Sequence, residues 1–196
     1  MLQYLVIVGA AAEIFGVLAY IRATLRGTTK PNRVSWFMWS LGSFVAAAAA
    51  FADGVGWAAI PVFMSGVGPF LVFMASFANK NAYWKLGKFD YLCGLFSVLA
   101  LALWAATREA AVAVLFAIIS DIFACVPTIA KAWKHPETES GITHIATLFN
   151  GLTSFAAIKA WNFTSYAFPV YLSAASFLLV FSVYRRKMAK LAACCK

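Results

Sequence analysis

Two acids, Glu13 and Asp121, stand 108 residues apart, each about a dozen residues from either end of a long apolar run. A charged carboxylate at the middle of a bilayer costs roughly 2.5–3.5 kcal/mol, so such a residue faces a bundle interior, a partner or water. Removal from water favours its neutral, protonated form. Two groups of this kind are equipped to exchange protons or to couple transport to a cation. The plainer alternative is structural: each acid keeps its proton and hydrogen-bonds a neighbouring helix.

The same offset of 108 residues runs through the whole chain. Ile14-Phe15 meets Ile122-Phe123, Ile21 meets Ile129, and Pro61-Val62 meets Pro169-Val170. Ser65 meets Ser173, and Leu71-Val72-Phe73 meets Leu179-Val180-Phe181. A composition rich in Ala and Phe inflates chance identities. It does not pair prolines, serines and acids at one constant spacing. The chain reads as a duplicated unit, and membrane transporters commonly hold substrate between such halves.

The walls of a pathway are sought on the second and sixth apolar runs. Trp36, Trp39, Ser40 and Ser43 share one helical face, and His144, Thr147, Asn150, Gly151 and Ser154 recur at similar spacing. An aromatic plane beside amide and hydroxyl groups suits a flat or polyhydroxylated solute. The candidate substrate contacts are Trp39, Ser43, Ser65, Thr147, Asn150 and Ser173. Asn150 is as suited to bonding a backbone carbonyl, and the two serines to helix packing. Trp36, one turn from a helix end, reads as an interfacial anchor. His144 has the side chain of a pH switch, but a solvated place at the membrane edge is the commoner fate. Asp90, beside Lys88, reads as an interfacial charge.

Positioning these residues takes seven apolar runs, roughly 2–25, 34–52, 56–78, 89–106, 110–132, 142–161 and 166–184. The chain is 63% hydrophobic and 12% charged, which places it among integral membrane proteins. Runs of about 20 apolar residues without strict alternation are helices rather than barrel strands. The expected fold is therefore all-α, with seven transmembrane helices in a 3+1+3 parallel-repeat arrangement. Residues 1–79 make the first triple-helix bundle and 80–108 a linker helix; 109–187 make the second bundle and 188–196 a tail. The first run carries Glu13 and lacks a basic flank ahead of it, so it reads as retained rather than as a signal peptide.

Charge sets the orientation. All but Arg108 and Lys159 of the 16 basic residues fall on one side of this arrangement. The positive-inside rule then puts the N-terminus outside and the C-terminus in the cytoplasm of a cell or inner membrane. The stretch from Lys134 to Glu139 reads as a solvated cytoplasmic turn. Cys93 and Cys125 read as small apolar packers. Cys194 and Cys195, in a reducing setting, read as free thiols rather than a disulfide pair. The Asn162-Phe163-Thr164 triplet hugs the membrane and carries no weight as a glycosylation signal.

This plan resembles the SWEET facilitators of the PQ-loop superfamily. The local likeness lies in Pro127-Thr128 followed by Lys131, Lys134, Thr138, Glu139, Ser140 and Gly141, which looks like a PQ-loop pattern. The stretch Lys30-Pro31-Asn32-Arg33-Val34-Ser35-Trp36-Phe37 is similar to a group of small prokaryotic membrane proteins. The resemblance implies transport of a sugar-like solute by rocking of two bundles, with prolines as hinges. Pro127 occupies such a hinge place, and Pro61 and Pro169 are expected to interrupt the third and seventh helices.

Enzyme chemistry finds no footing. Two histidines, His135 and His144, without a cysteine cluster make no zinc site, and no phosphate loop or nucleophile elbow occurs. No metal or cofactor is implied, and the net charge of +9 sits at membrane edges rather than on a nucleic-acid surface. The implied partners are a small solute and the bilayer, with self-association left open. A non-transporting receptor resembling the KDEL receptors is the alternative. Such a receptor wants inward basic groups, and Lys159 alone offers itself. A retinal pump wants a lysine in the last helix, and 168–184 contains none.

Overall fold

The computed structural model describes residues 4–82, 84–107 and 109–194. Arg108, Cys195 and Lys196 lie outside the described residues, as do the side chains of Arg186, Lys187, Lys190 and Cys194. Seven α-helices follow one another: α1 (Leu5–Leu25), α2 (Arg33–Ala52), α3 (Ala59–Ala75), α4 (Lys88–Thr107), α5 (Ala110–Lys134), α6 (Gly141–Phe155) and α7 (Phe163–Cys194). Single 3-10 turns at Gly56–Ala58 and Pro136–Thr138 lead into α3 and α6. Among the described residues, five helical stretches are long and apolar enough to cross a membrane: Leu5–Leu25, Arg33–Ala52, Gly56–Ala75, Ala110–Lys134 and Phe163–Arg185. The protein is a helical membrane protein.

The exposed surface fits that conclusion. Ile14, Phe15 and Leu18 point outward from α1, and Ile122 and Val126 from α5. Glu13 and Asp121, on the opposite faces of the same helices, are each 2% exposed. The acids are inside and the large apolar residues beside them are outside.

Packing is reciprocal between the two halves of the chain. Helix α1 lies against α6, and α5 lies against α2. Helix α3 packs on both α1 and α2, as α7 packs on both α5 and α6. Helix α4 leans mainly on α5, tied there by the Ser97 hydroxyl, which lies 2.8 Å from the Ser120 carbonyl. Small residues let the crossing helices approach. A Cβ on Gly16 would stand 2.6 Å from that of Ala146, and the Thr143 hydroxyl donates to the Gly16 carbonyl at 2.8 Å. On the reciprocal contact, a Cβ on Gly42 would collide with the Asp121 carboxyl.

Two expected helices change shape. Helix α6 ends at Phe155 rather than near 161, because the N–H groups of Ala156 and Ala157 turn back to the carbonyls of Thr153 and Ser154. Bonds of that span tighten and close a last turn. Lys159 therefore lies in the connection, not on a helix. Asn162 then starts α7: its side-chain oxygen accepts from the Ser165 N–H at 2.9 Å and from the Ser165 hydroxyl at 2.7 Å. The Asn-Phe-Thr triplet is a helix cap. Pro61 does not interrupt the third helix either. It sits in the first turn of α3, where a missing N–H removes no helical bond. The interior prolines are Pro69 in α3, Pro127 in α5 and Pro169 in α7.

The stretch from Lys30 to Phe37 is a junction. Asn32 Oδ1 caps α2 by accepting from the N–H groups of Val34 (3.1 Å) and Ser35 (3.3 Å). Its Nδ2 donates to Asp90 at the start of α4, and Asp90 also accepts from the Gly87 N–H. Asp90 is thus buried at 7% exposure, not the interfacial charge expected beside Lys88. Arg33 next to it donates to both the hydroxyl and carbonyl of Ser76 at the end of α3. Asn32→Ala removes the cap and strips Asp90 of a donor; a loss of about 2 kcal/mol is expected. Thermal unfolding in detergent should register it, whereas a wild-type melting curve would show that the junction carries no weight.

Candidate functional site

Where the two halves meet, α2, α3, α5, α6 and α7 leave a cavity of about 50 Å³. Trp36 and Trp39 form one wall from α2, Asp121 and Cys125 another from α5. Ser65 of α3 and His144 and Thr147 of α6 complete one side. Tyr171, Leu172, Ala175, Ser176 and Leu179 line it from one face of α7. Among the described residues no lysine or arginine lines this space. A water needs roughly 10–15 Å³ of such space, and pockets for drug-sized ligands span about 300–1,000 Å³. In this conformation the cavity suits a few waters or a very small solute.

Helical periodicity explains the lining. Asp121 and Cys125 are one turn apart, as are Tyr171 and Ala175. The two indoles meet edge to face, with centroids 5.3 Å apart and planes at 78°. Trp36 also packs on Tyr20 of α1 at 4.6 Å, so it is a buried wall residue at 3% exposure rather than an interfacial anchor. Asp121 Oδ1 is buried without a hydrogen-bond partner.

The six substrate candidates divide. Trp39, Ser65 and Thr147 line the cavity. Ser43 does not; its hydroxyl oxygen lies 3.2 Å from that of Ser65, which donates to the Val62 carbonyl at 2.6 Å. Asn150 lies behind the wall, where its Nδ2 donates to the Pro61 carbonyl at 3.0 Å. Ser173 packs beside Gly151, which stands at the repeat position of Ser43. The exchange of Ser43 for a glycine leaves the Ser173 hydroxyl buried and unbonded.

The paired acids are equivalent in burial and different in setting. Glu13 does not line the central cavity. It borders a separate cavity of about 40 Å³ between α1 and α3, whose other lining residues are apolar. Thr147 bridges the two spaces. Its hydroxyl oxygen lies 3.1 Å from Glu13 Oε1 and 3.1 Å from the Thr143 carbonyl. One hydroxyl hydrogen serves one acceptor at a time. A proton on Glu13 satisfies both contacts, with Glu13 donating to Thr147 and Thr147 donating onward.

The basic end of the molecule holds a second cluster. Glu139 is buried, not part of a solvated turn, and its carboxylate pairs with Lys131 at 2.5 Å and accepts from Tyr20 Oη at 2.9 Å. His144 Nε2 stands 3.5 Å from the same carboxylate and is itself only 4% exposed, so it is no solvated edge residue. Lys131 also donates to the Lys30 carbonyl, and the Lys30 N–H donates to the Thr138 carbonyl at 3.1 Å. The contacts of Tyr20 and Lys30 cross between the halves at that end. Burial alone would raise the Glu139 carboxyl. The Lys131 charge, helped by His144, overrides burial and holds it low, at about 2. Spacing alone did not mark this cluster, because Lys131 and Glu139 meet only through the fold of the intervening turn. Cys125, Tyr171 and Ser176 were equally missed; Cys125 and Ser176 share helical faces with Asp121 and Leu172.

No protein family, curated protein or solved structure matches this chain in the comparisons. The functional conclusion therefore rests on these residues.

Removing one member of a buried ion pair costs about 3–5 kcal/mol, since the survivor stays buried and uncompensated. Lys131→Met should destabilise the protein by that order, and adding Glu139→Gln should recover part of the loss. Thermal melts of both variants in detergent would check this, and equal melts of the single and double variants would contradict it. Glu139 also predicts an acid limit. A carboxyl whose value falls on folding from 4.5 to about 2 adds stability above pH 4.5 and loses it as pH drops through about 2. The wild-type melting temperature should fall across that window by more than that of Glu139→Gln.

Proposed function

We propose that this protein is a membrane transporter of a small polar solute. It works by alternating access between two like-oriented triple-helix bundles joined by α4, the 3+1+3 plan of the SWEET and PQ-loop proteins it resembles. The observation that carries this proposal is the internal cavity at the reciprocal contact of the two halves, lined by Asp121 and by polar groups from four other helices. A cavity bounded by two repeats is where rigid-body rocking changes access without unfolding either bundle.

The basic end is the cytoplasmic side by the distribution of lysine and arginine. In this conformation Tyr20, Lys30, Lys131, Thr138 and Glu139 keep it shut. Opening there separates Tyr20 from Glu139 and Lys131 from the Lys30 carbonyl. Pro127 lies on α5 between Asp121 and Lys131 and supplies a bend between cavity and gate. His144 touches both, since it lines the cavity and stands at the Glu139 carboxylate. A receptor of the KDEL type draws less support, because a peptide carboxylate wants a cation and no lysine or arginine among the described residues borders the cavity.

In proteoliposomes an imposed pH gradient should drive uptake of the transported solute. Asp121→Asn should abolish that response, and Glu13→Gln should leave most of it, because Glu13 sits outside the central cavity. Uptake indifferent to the gradient, with Asp121→Asn fully active, would dismiss the coupling role.

A further inference from the structure

Asp121 has a setting that fits a charged solute better than a sugar. Its Oδ1 is buried against Gly42 without a hydrogen-bond partner, and the residue lines a cavity that no lysine or arginine borders among the described residues. Two indoles in edge-to-face contact, their planes at 78°, form one wall of that space, and Tyr171 adds a third aromatic side chain. Aromatic faces at right angles beside one carboxylate make a corner that attracts an organic cation, through the ring quadrupoles and the counter-charge together. A polyhydroxylated ring wants many fixed donors and acceptors instead.

We propose that the cavity binds a small organic ammonium ion on Asp121, in exchange for the proton that Asp121 otherwise carries. This names the substrate class of the transport site above and rests on that proposal for the flux, though not for the binding. An ionised acid buried without a partner is costly, so the carboxyl holds either a proton or a cation. When the ammonium enters, the carboxyl O–H bond breaks and its proton leaves to solvent. One positive charge enters as one departs, so the exchange is electroneutral. The other titratable groups facing the space are His144 from α6, Tyr171 from α7 and Cys125 on α5 itself. His144 already has Glu139 as a partner, which leaves Asp121 as the acid free to trade.

Tetramethylammonium is the probe, because it has no proton of its own to release. Tert-butanol is a neutral molecule of similar size, and sodium chloride controls for ionic strength. The full chain in detergent is titrated while tryptophan fluorescence and proton release into a weakly buffered dye solution are recorded. Tetramethylammonium should change the fluorescence and release about one proton per cation bound, with an affinity at least about tenfold that of tert-butanol. Asp121→Asn should lose the proton release, and His144→Gln should keep it. Equal binding of tert-butanol, an equal response to sodium chloride, or binding without proton release would overturn the proposal. These wild-type comparisons decide even if Asp121→Asn fails to fold. In vesicles, binding and proton release without uptake would leave the cation site standing and remove the transport proposal. Uptake of another solute that tetramethylammonium does not inhibit would do the reverse.

Discussion

A carboxyl group taken out of water must be paired, hydrogen-bonded or protonated, and that requirement organises this protein. Four of its seven acids are buried, and each meets the requirement differently. Glu139 is an ion-paired carboxylate with Lys131, Tyr20 and His144 around it. Asp90 accepts from Asn32 and from the backbone at the start of α4. Glu13 shares a hydrogen with Thr147. Asp121 packs its unpartnered Oδ1 against Gly42 while lining the central cavity. Two of these settings are closed by partners, and the other two border cavities, of which only that at Asp121 has further polar lining.

Packing places those settings at reciprocal helix contacts, since α1 meets α6 while α5 meets α2. Gly16 and Gly42 permit the approach at each crossing. The counterparts have since diverged. Gly42 meets the Asp121 carboxyl directly, whereas Asn150, at its repeat position, reaches the Pro61 carbonyl. Thr147 answers Glu13, and the residue at its own repeat position, Trp39, forms an aromatic wall beside Asp121. Residues at one offset thus give the two acids equal burial and different neighbours.

Much of this was legible in the residues. The repeat offset and the apolar runs located the helices and put both acids inward, since hydrophobic periodicity and burial cost act locally. Helical spacing marked the faces that carry Trp39 and Thr147, and the repeat offset marked Ser65; all three line the cavity. The basic end was misread because charges near helix ends are usually solvated, and no local pattern says that Glu139 folds back beneath Lys131. Trp36 was misread for the same reason: its distance from the helix end suggested an anchor, while its burial depends on Tyr20 from another helix. The early close of α6 at Phe155 turns on backbone bonding by two alanines, which no side-chain signal announces.

Access to the cavity tests the account most directly. Ser176 lines it at 3% exposure. A Ser176→Cys chain, with its native cysteines replaced, is reconstituted and treated with a small membrane-impermeant thiol reagent from each side in turn. Alternating access predicts labelling from both faces and protection by the bound solute. A thiol reachable from one face alone, or from neither, would contradict it.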